Sequence, residues 1–304
     1  MHNTAHAMDG PVKIRVDPGY RAFQIFNIIF LVLVSWACLY PFLNTLATSF
    51  SGNSYVLRGE VGLLPKGFTL EAYARIVKDP EFYTGYFNTI LYTVVGTLLS
   101  LFMTIATAYP LSRRGLIGKK YLMFFFVFTM YFGGGMIPGF LLIKNLHLMN
   151  TIWAIVLPPS LSVYNMLIMR TFFNGIPESL AEAAKIDGIG DFQLLMKIYL
   201  PLSKPIIATM TLFYAVGYWN DWFSALIYMS DASKHPVTLY LRSIVMGLTK
   251  QAMSGNISAA DVAAVAGKTV QGATVMLVTI PILCIYPFVQ KYFVSGVMLG
   301  SVKE

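Results

Sequence analysis

The feature that most limits what this chain can fold into is a series of long apolar runs separated by short polar loops. An α-helix rises about 1.5 Å per residue, so about 20 apolar residues cross the roughly 30 Å hydrocarbon layer of a bilayer. Runs of this kind occupy residues 23–50, 87–109, a third segment beginning at Tyr121, 152–169, 206–228 and 273–293. The expected architecture is an all-α integral membrane protein with six transmembrane helices. Composition supports this, because charged residues make up only 12% of the chain against about a quarter in soluble proteins.

Loop charge sets the orientation. Arg113, Arg114, Lys119 and Lys120 share one short loop with no acidic residue between them, and short cytoplasmic loops are the ones that collect Lys and Arg. That side is expected to be cytoplasmic, with both termini on it. The chain then divides into a cytoplasmic tail (1–22), a first span with its outer loop (23–86), a transmembrane core (87–293) and a second cytoplasmic tail (294–304). The first span is expected to tilt or to kink at Pro41, and the second to end at Pro110. Gly133-Gly134-Gly135 and Pro138 break the third, either as a kinked, pathway-lining helix or as a tight helix contact. A short helix is expected over 70–77, and a long outer loop after the fifth span, ending in an Ala-rich helix over 258–267.

Several function classes drop out. The net charge of +8 invites a nucleic-acid reading, but no Lys/Arg tract interleaved with aromatics accompanies it. His2, His6, His147 and His235 make no metal or catalytic cluster. Cys38 and Cys284 have no CxxC spacing and are expected to be reduced packing residues. Gly267-Lys268-Thr269 has the end of a phosphate-binding loop, yet Val262 stands where that loop needs its first glycine, and a helix end is expected instead. The chain is therefore not expected to hydrolyse ATP.

One polar stretch interrupts the membrane pattern. Pro177 suits the start of a helix and Glu178 its first turn, while Gly188 can take the left-handed conformation that ends it. A second short helix is expected from Asp191, with Phe192, Leu195, Met196 and Tyr199 on one apolar face and Pro201 closing it. On the first helix Leu180, Ala183, Ala184 and Asp187 share a side, small enough for another backbone to approach. A helix lying on lipid would favour Lys and Arg; this one carries Glu178, Glu182, Asp187 and Asp191 against Lys185, which suits a basic-lined protein partner.

The same residues carry a family resemblance. Glu182-Ala183-Ala184, Gly188, Ile198 and Leu200-Pro201 are spaced as in the signature of permease subunits of binding-protein-dependent ABC importers. The chain from about 87 to 293 resembles the shared core of those permeases. The Trp219-Asn220-x-Trp222 cluster and the arrangement of Leu146, Asn150, Thr151 and Leu157-Pro158 resemble the maltose-type carbohydrate branch. The 132–138 run is similar to members importing larger, often uronate-containing oligosaccharides. The resemblance implies a type I importer fold in the bacterial cytoplasmic membrane and a coupling helix at Glu182, Ala183, Ala184, Asp187 and Gly188. It also implies a second permease, two ATPase copies that bind ATP and Mg²⁺, and an extracellular sugar-binding protein. No cofactor is expected on this chain.

Asp221 is the only acid well inside a predicted span, and ionisable groups there are functional candidates. Trp219, Asn220, Asp221 and Trp222 together offer ring faces and polar groups to a sugar, with Tyr164 and Asn165 as weaker candidates; the rival reading is an interfacial aromatic belt. Trp219 and Asp221 are expected to face a translocation cavity. An ion-coupled transporter working through Asp221 is the alternative function.

Overall fold

The computed structural model describes residues 18–253, 267–285 and 287. Among them all regular structure is helical. In order, the elements are α1 (Pro18–Ser49), α2 (Asn53–Leu57), α3 (Glu71–Val77), α4 (Pro80–Ser112), α5 (Lys119–Tyr131), α6 (Met136–Asn145), α7 (Ile152–Val156), α8 (Val163–Asn174) and α9 (Glu178–Ile186). Then come α10 (Asp191–Leu194), a π-helical turn (Leu195–Tyr199), α11 (Leu200–Leu202), α12 (Lys204–Asn220), α13 (Phe223–Tyr228) and α14 (Val237–Met253). The last described helix is α15 (Gly267–Ile285). The expected features at 1–17, 254–266 and 288–304 lie outside the described residues.

Only α1, α4 and α15, among the described residues, are single helices long and apolar enough to cross a membrane. The third predicted span is a pair, α5 and α6, meeting at 111°. A Cβ on Gly133 or Gly135 would meet nothing within 4 Å and one on Gly134 only the Pro138 side chain at 3.9 Å, so no tight helix contact forms there among the described residues. The fourth is split into α7 and α8 around Pro158-Pro159, and the fifth into α12 and α13 at Asp221-Trp222. Pro110 does not end the second span but lies inside the continuous α4, as Pro41 lies inside α1, and α4 begins earlier than predicted, where Asp79 accepts the Glu81 N–H at 2.9 Å.

In place of the expected outer loop stands α14. Its first residue is buried against α4: the Val237 N–H donates to Thr89 Oγ1 at 2.8 Å, and a Cβ on Gly85 would meet the Val237 backbone at 3.1 Å. Ala72, Ile76, Phe82, Val237, Ala273 and Val278 close a core there, at the end of α4 remote from the basic loop. Cys38 and Cys284 are exposed, contrary to the packing role expected of them, because the apolar stretch of α1 has none of its residues buried and the end of α15 likewise faces away from the body.

Asn150 has a clear task at the same end. Its φ of 58° is left-handed, a conformation Asn tolerates better than most residues. Its amide donates to Ser230 Oγ at 2.7 Å, and its Oδ1 accepts the N–H groups of Ser230 and Asp231 at 2.7 and 3.1 Å. The turn before α7 is thereby tied to the end of α13.

The largest core joins α4, α8 and α12. It holds Met166, Met169, Met210, Tyr214 and Tyr218 with residues of α9 and α10. At its centre α4 and α12 touch through a glycine: a Cβ on Gly96 would sit 2.6 Å from the Tyr218 ring. That ring cannot retreat freely, because its hydroxyl bonds Ser100 Oγ and the Val156 carbonyl, each at 3.0 Å. Gly96→Ala is expected to destabilise the permease by about 1 to 3 kcal/mol through overpacking, read as a lowered thermal midpoint in detergent. An unchanged midpoint would mean that the α4–α12 contact is softer than its geometry indicates.

Candidate docking loop and translocation groove

The loop between α8 and α12 is a hairpin of short helices. Pro177 precedes α9, whose C-terminus is closed by Gly188 at φ +74°. The Gly188 N–H donates to the Lys185 carbonyl at 3.1 Å and the Ile189 N–H to the Ala184 carbonyl at 2.9 Å, the paired bonds of a Schellman ending. A second helical run follows from Asp191 to Leu202 without stopping at Pro201. Proline removes a donor and crowds the carbonyl four residues back, here that of Lys197. A π-helical turn spans that position and absorbs the conflict.

The two faces of the hairpin differ from expectation. Ala181 and Ala184 are 1% and 3% exposed and belong to the main core, so Ala184 lies on the inner face and not on the predicted docking side. Leu180, Glu182, Ala183, Asp187 and Gly188 remain on the surface. The second helix buries Leu194 and Tyr199, while Phe192 is 74% exposed and Met196 also stands out. Of the expected apolar face, Leu195 and Tyr199 turn inward with Leu194, while Phe192 and Met196 do not. With Ile186, also exposed, these side chains give the loop tip an uncovered apolar surface that sequence reasoning missed. Apolar groups clustered at the tip of a polar loop mark a protein contact.

The hairpin is fixed to the bundle. The rings of Tyr109, Phe173 and Tyr199 meet edge to face, with centroids 5.2 to 6.3 Å apart. Arg113 lies over the Tyr199 ring at 5.5 Å and donates to its hydroxyl at 2.6 Å. Tyr109 donates to the Asp191 carbonyl at 3.0 Å, and Arg114 pairs with Glu178 at 2.6 Å. The basic loop and the docking loop therefore stand on one side, as the charge pattern implied. Their direct pairing could not be read from spacing.

The aromatic cluster of the fifth predicted span is divided. Trp219 is buried at 7% exposure, its indole N–H donating to the Val278 carbonyl at 3.0 Å and its ring set edge-on to Tyr86. It packs against α15 and does not face a cavity, which overturns both the sugar-wall and the belt reading for this residue. Trp222 is partly buried, with the Arg242 guanidinium 4.1 Å above its ring. Asn220 and Asp221 line an open groove of about 510 Å³ together with Pro158, Pro159, Tyr214 and Tyr218. The Asp221 carboxylate accepts the Ser224 N–H at 3.0 Å, while the Asn220 amide bonds back to the Val216 carbonyl. Tyr164 is exposed and Asn165 is buried beside it; neither is among the residues lining this groove. The tyrosines were missed because a periodic apolar helix gives no sign of which aromatic borders a gap. The paired prolines opposite them were the available signal.

Comparison with known proteins places the chain in a family. Residues 82–299 match the model of the family described as binding-protein-dependent transport system inner membrane component. The polygalacturonan/rhamnogalacturonan transport system permease protein YtcP of Bacillus subtilis is 42% identical, over 93% of this chain and 99% of its own. Protein LplC of the same organism is 41% identical, over 93% and 95%. A chain of a bacterial ABC transporter involved in the import of the acidic polysaccharide alginate superposes with a TM-score of 0.81 at 35% identity, over 91% of this chain and 99% of that one. The protein belongs to the inner-membrane permease components of binding-protein-dependent ABC transport systems.

Proposed function

We propose that this chain is one permease subunit of an ATP-driven oligosaccharide importer whose substrates include uronate-containing chains. In this reading it lies in the bacterial cytoplasmic membrane with both termini inside and forms half of the pathway beside a second, related permease. An extracellular sugar-binding protein delivers the substrate. A pair of ATPase subunits, which bind ATP and Mg²⁺, engages the exposed face of α9 around Glu182, Ala183, Asp187 and Gly188.

The observation that carries the reading is the continuity of one core. It contains Ala181 and Ala184 of the loop at one end and Tyr214 and Tyr218 of the groove at the other. A push on the loop is passed through packed side chains to the groove, as alternating access by rigid-body movement needs. Sugar as cargo is supported by the relatives' substrates and by the groove itself, which sets tyrosine rings and proline faces beside an amide and a carboxylate. The rival, an ion-coupled transporter working through Asp221, would leave the docking surface without a use.

Three outcomes are expected. The purified chain alone hydrolyses no ATP, and turnover appears when its ATPase is added; sustained hydrolysis by the chain alone would contradict the reading. The reconstituted complex, given a panel of oligosaccharides, raises its ATPase rate with uronate-containing chains, and a flat response across the panel would remove sugar as the cargo. Glu182→Lys and Gly188→Ala, the latter costing about 1 to 2 kcal/mol for a Cβ at positive φ, insert normally but lose ATPase subunits on purification or uncouple hydrolysis from uptake. Wild-type retention and transport in both variants would show that coupling runs elsewhere.

A further inference from the structure

A second groove, of about 510 Å³, opens at the end of the molecule remote from the docking loop. Glu81 at the start of α4, His235, and Tyr240, Arg242 and Ser243 of α14 contribute to its lining. Its volume lies within the range of small-molecule sites, and its lining offers groups of both charge signs.

Arg242 is the distinctive member. Its guanidinium carbon stands 4.1 Å over the Trp222 ring, which fixes the plane of the fork before any ligand arrives. Among the described residues no carboxylate lies within ion-pair distance of it. The neighbouring acid that is committed is Asp79, which accepts the Tyr240 hydroxyl at 2.7 Å. His235 is likewise engaged, its Nε2 lying 3.2 Å from the Met229 carbonyl. A partly buried, pre-oriented guanidinium with no carboxylate partner among the described residues is suited to a planar anion, which it can hold by two parallel hydrogen bonds.

We propose that Arg242 binds the carboxylate of a uronate residue as the oligosaccharide enters, while Glu81 on the same groove accepts hydrogen bonds from its hydroxyls. Trp222 is the positioning residue for the fork. The inference rests on the oligosaccharide reading above and assigns its charge selectivity to a residue outside the Asp221 groove. Trp222 joins the two places in sequence: it follows Asp221, whose carbonyl accepts the Thr238 hydroxyl of α14 at 3.2 Å.

The test uses two forms of one ligand, oligogalacturonides as free acids and as full methyl esters, in which esterification removes the charge and caps the carboxylate with a methyl group. Uptake into proteoliposomes holding the whole complex is measured at limiting ligand, with the same binding protein throughout, so that any change in the acid-to-ester ratio belongs to the permease. Arg242→Met is expected to lower uptake of the free acid about tenfold, the scale of losing charged hydrogen bonds, and to leave the ester within about twofold. An unchanged ratio, or an equal loss for both ligands in a complex that still assembles, overturns the proposal. If Arg242→Met does not assemble, Arg242→Lys, which keeps the charge but loses the fork, takes the same comparison with a smaller fall expected. Failure of the wild-type complex to import either ligand, while it imports other oligosaccharides, would instead defeat the uronate reading beneath it.

Discussion

The contact on which most of the structure depends is the approach of α12 to α4 through tyrosine hydroxyls. Tyr214 meets Thr104 Oγ1 at 2.6 Å and receives the Ser162 N–H at 3.3 Å; Tyr218 meets Ser100 and donates to the Val156 carbonyl. Val156 and Ser162 flank the break between α7 and α8, where proline leaves backbone groups without helical partners. In a low-dielectric interior an unpaired group of that kind is costly, and the two hydroxyls satisfy one carbonyl and one amide at once. Three segments are held by two side chains. The same two tyrosines line the groove beside Pro158 and Pro159.

Below the tyrosines the same core continues without a gap to the docking loop. The clamp of Tyr109, Phe173, Tyr199 and Arg113 sits where α4, α8 and the loop hairpin converge, so the loop is rigid relative to α4 and α8 while its outer face stays uncovered. The division of labour within α9 follows from its small residues. Ala181 and Ala184 let it lie close to the bundle, and the acidic residues remain outside. A lipid-facing helix would need the opposite polarity, apolar toward the membrane and basic toward water.

Much of this was legible in the sequence. Gly188 ends α9 in the left-handed region, Pro177 stands just before its first turn, and a short helix forms over Glu71–Val77, each because a local backbone rule acts without help from distant residues. What was missed depends on tertiary contact. Pro110 does not end α4 and Pro201 does not end the helix before α12, since packing holds both segments helical across the proline. Trp219 and Trp222 are three residues apart and look equivalent in sequence, yet one donates to α15 and the other lies under Arg242. Ala184 and Ala183 are adjacent and chemically the same, and only the bundle decides which is inside. The helix α14 is hard to see in the sequence because its apolar run is too short to span a membrane.

The bend between α5 and α6 imposes a requirement on the assembly. From Lys119 to Tyr131 the helix climbs about 20 Å, which places Gly133-Gly134-Gly135 within the roughly 30 Å hydrocarbon layer. These glycines are exposed on the isolated chain, and their amides find no hydrogen-bond partner among the described residues. Non-helical backbone is tolerated at that depth only against protein or beside a water-filled cavity, because lipid offers nothing to bond. Residues 18–41 of α1 are exposed too, but α1 is a continuous helix whose backbone is satisfied within itself, so lipid alone can cover it. The two uncovered surfaces therefore differ in kind. The α5–α6 bend needs protein or water against it, whereas α1 can face the bilayer directly.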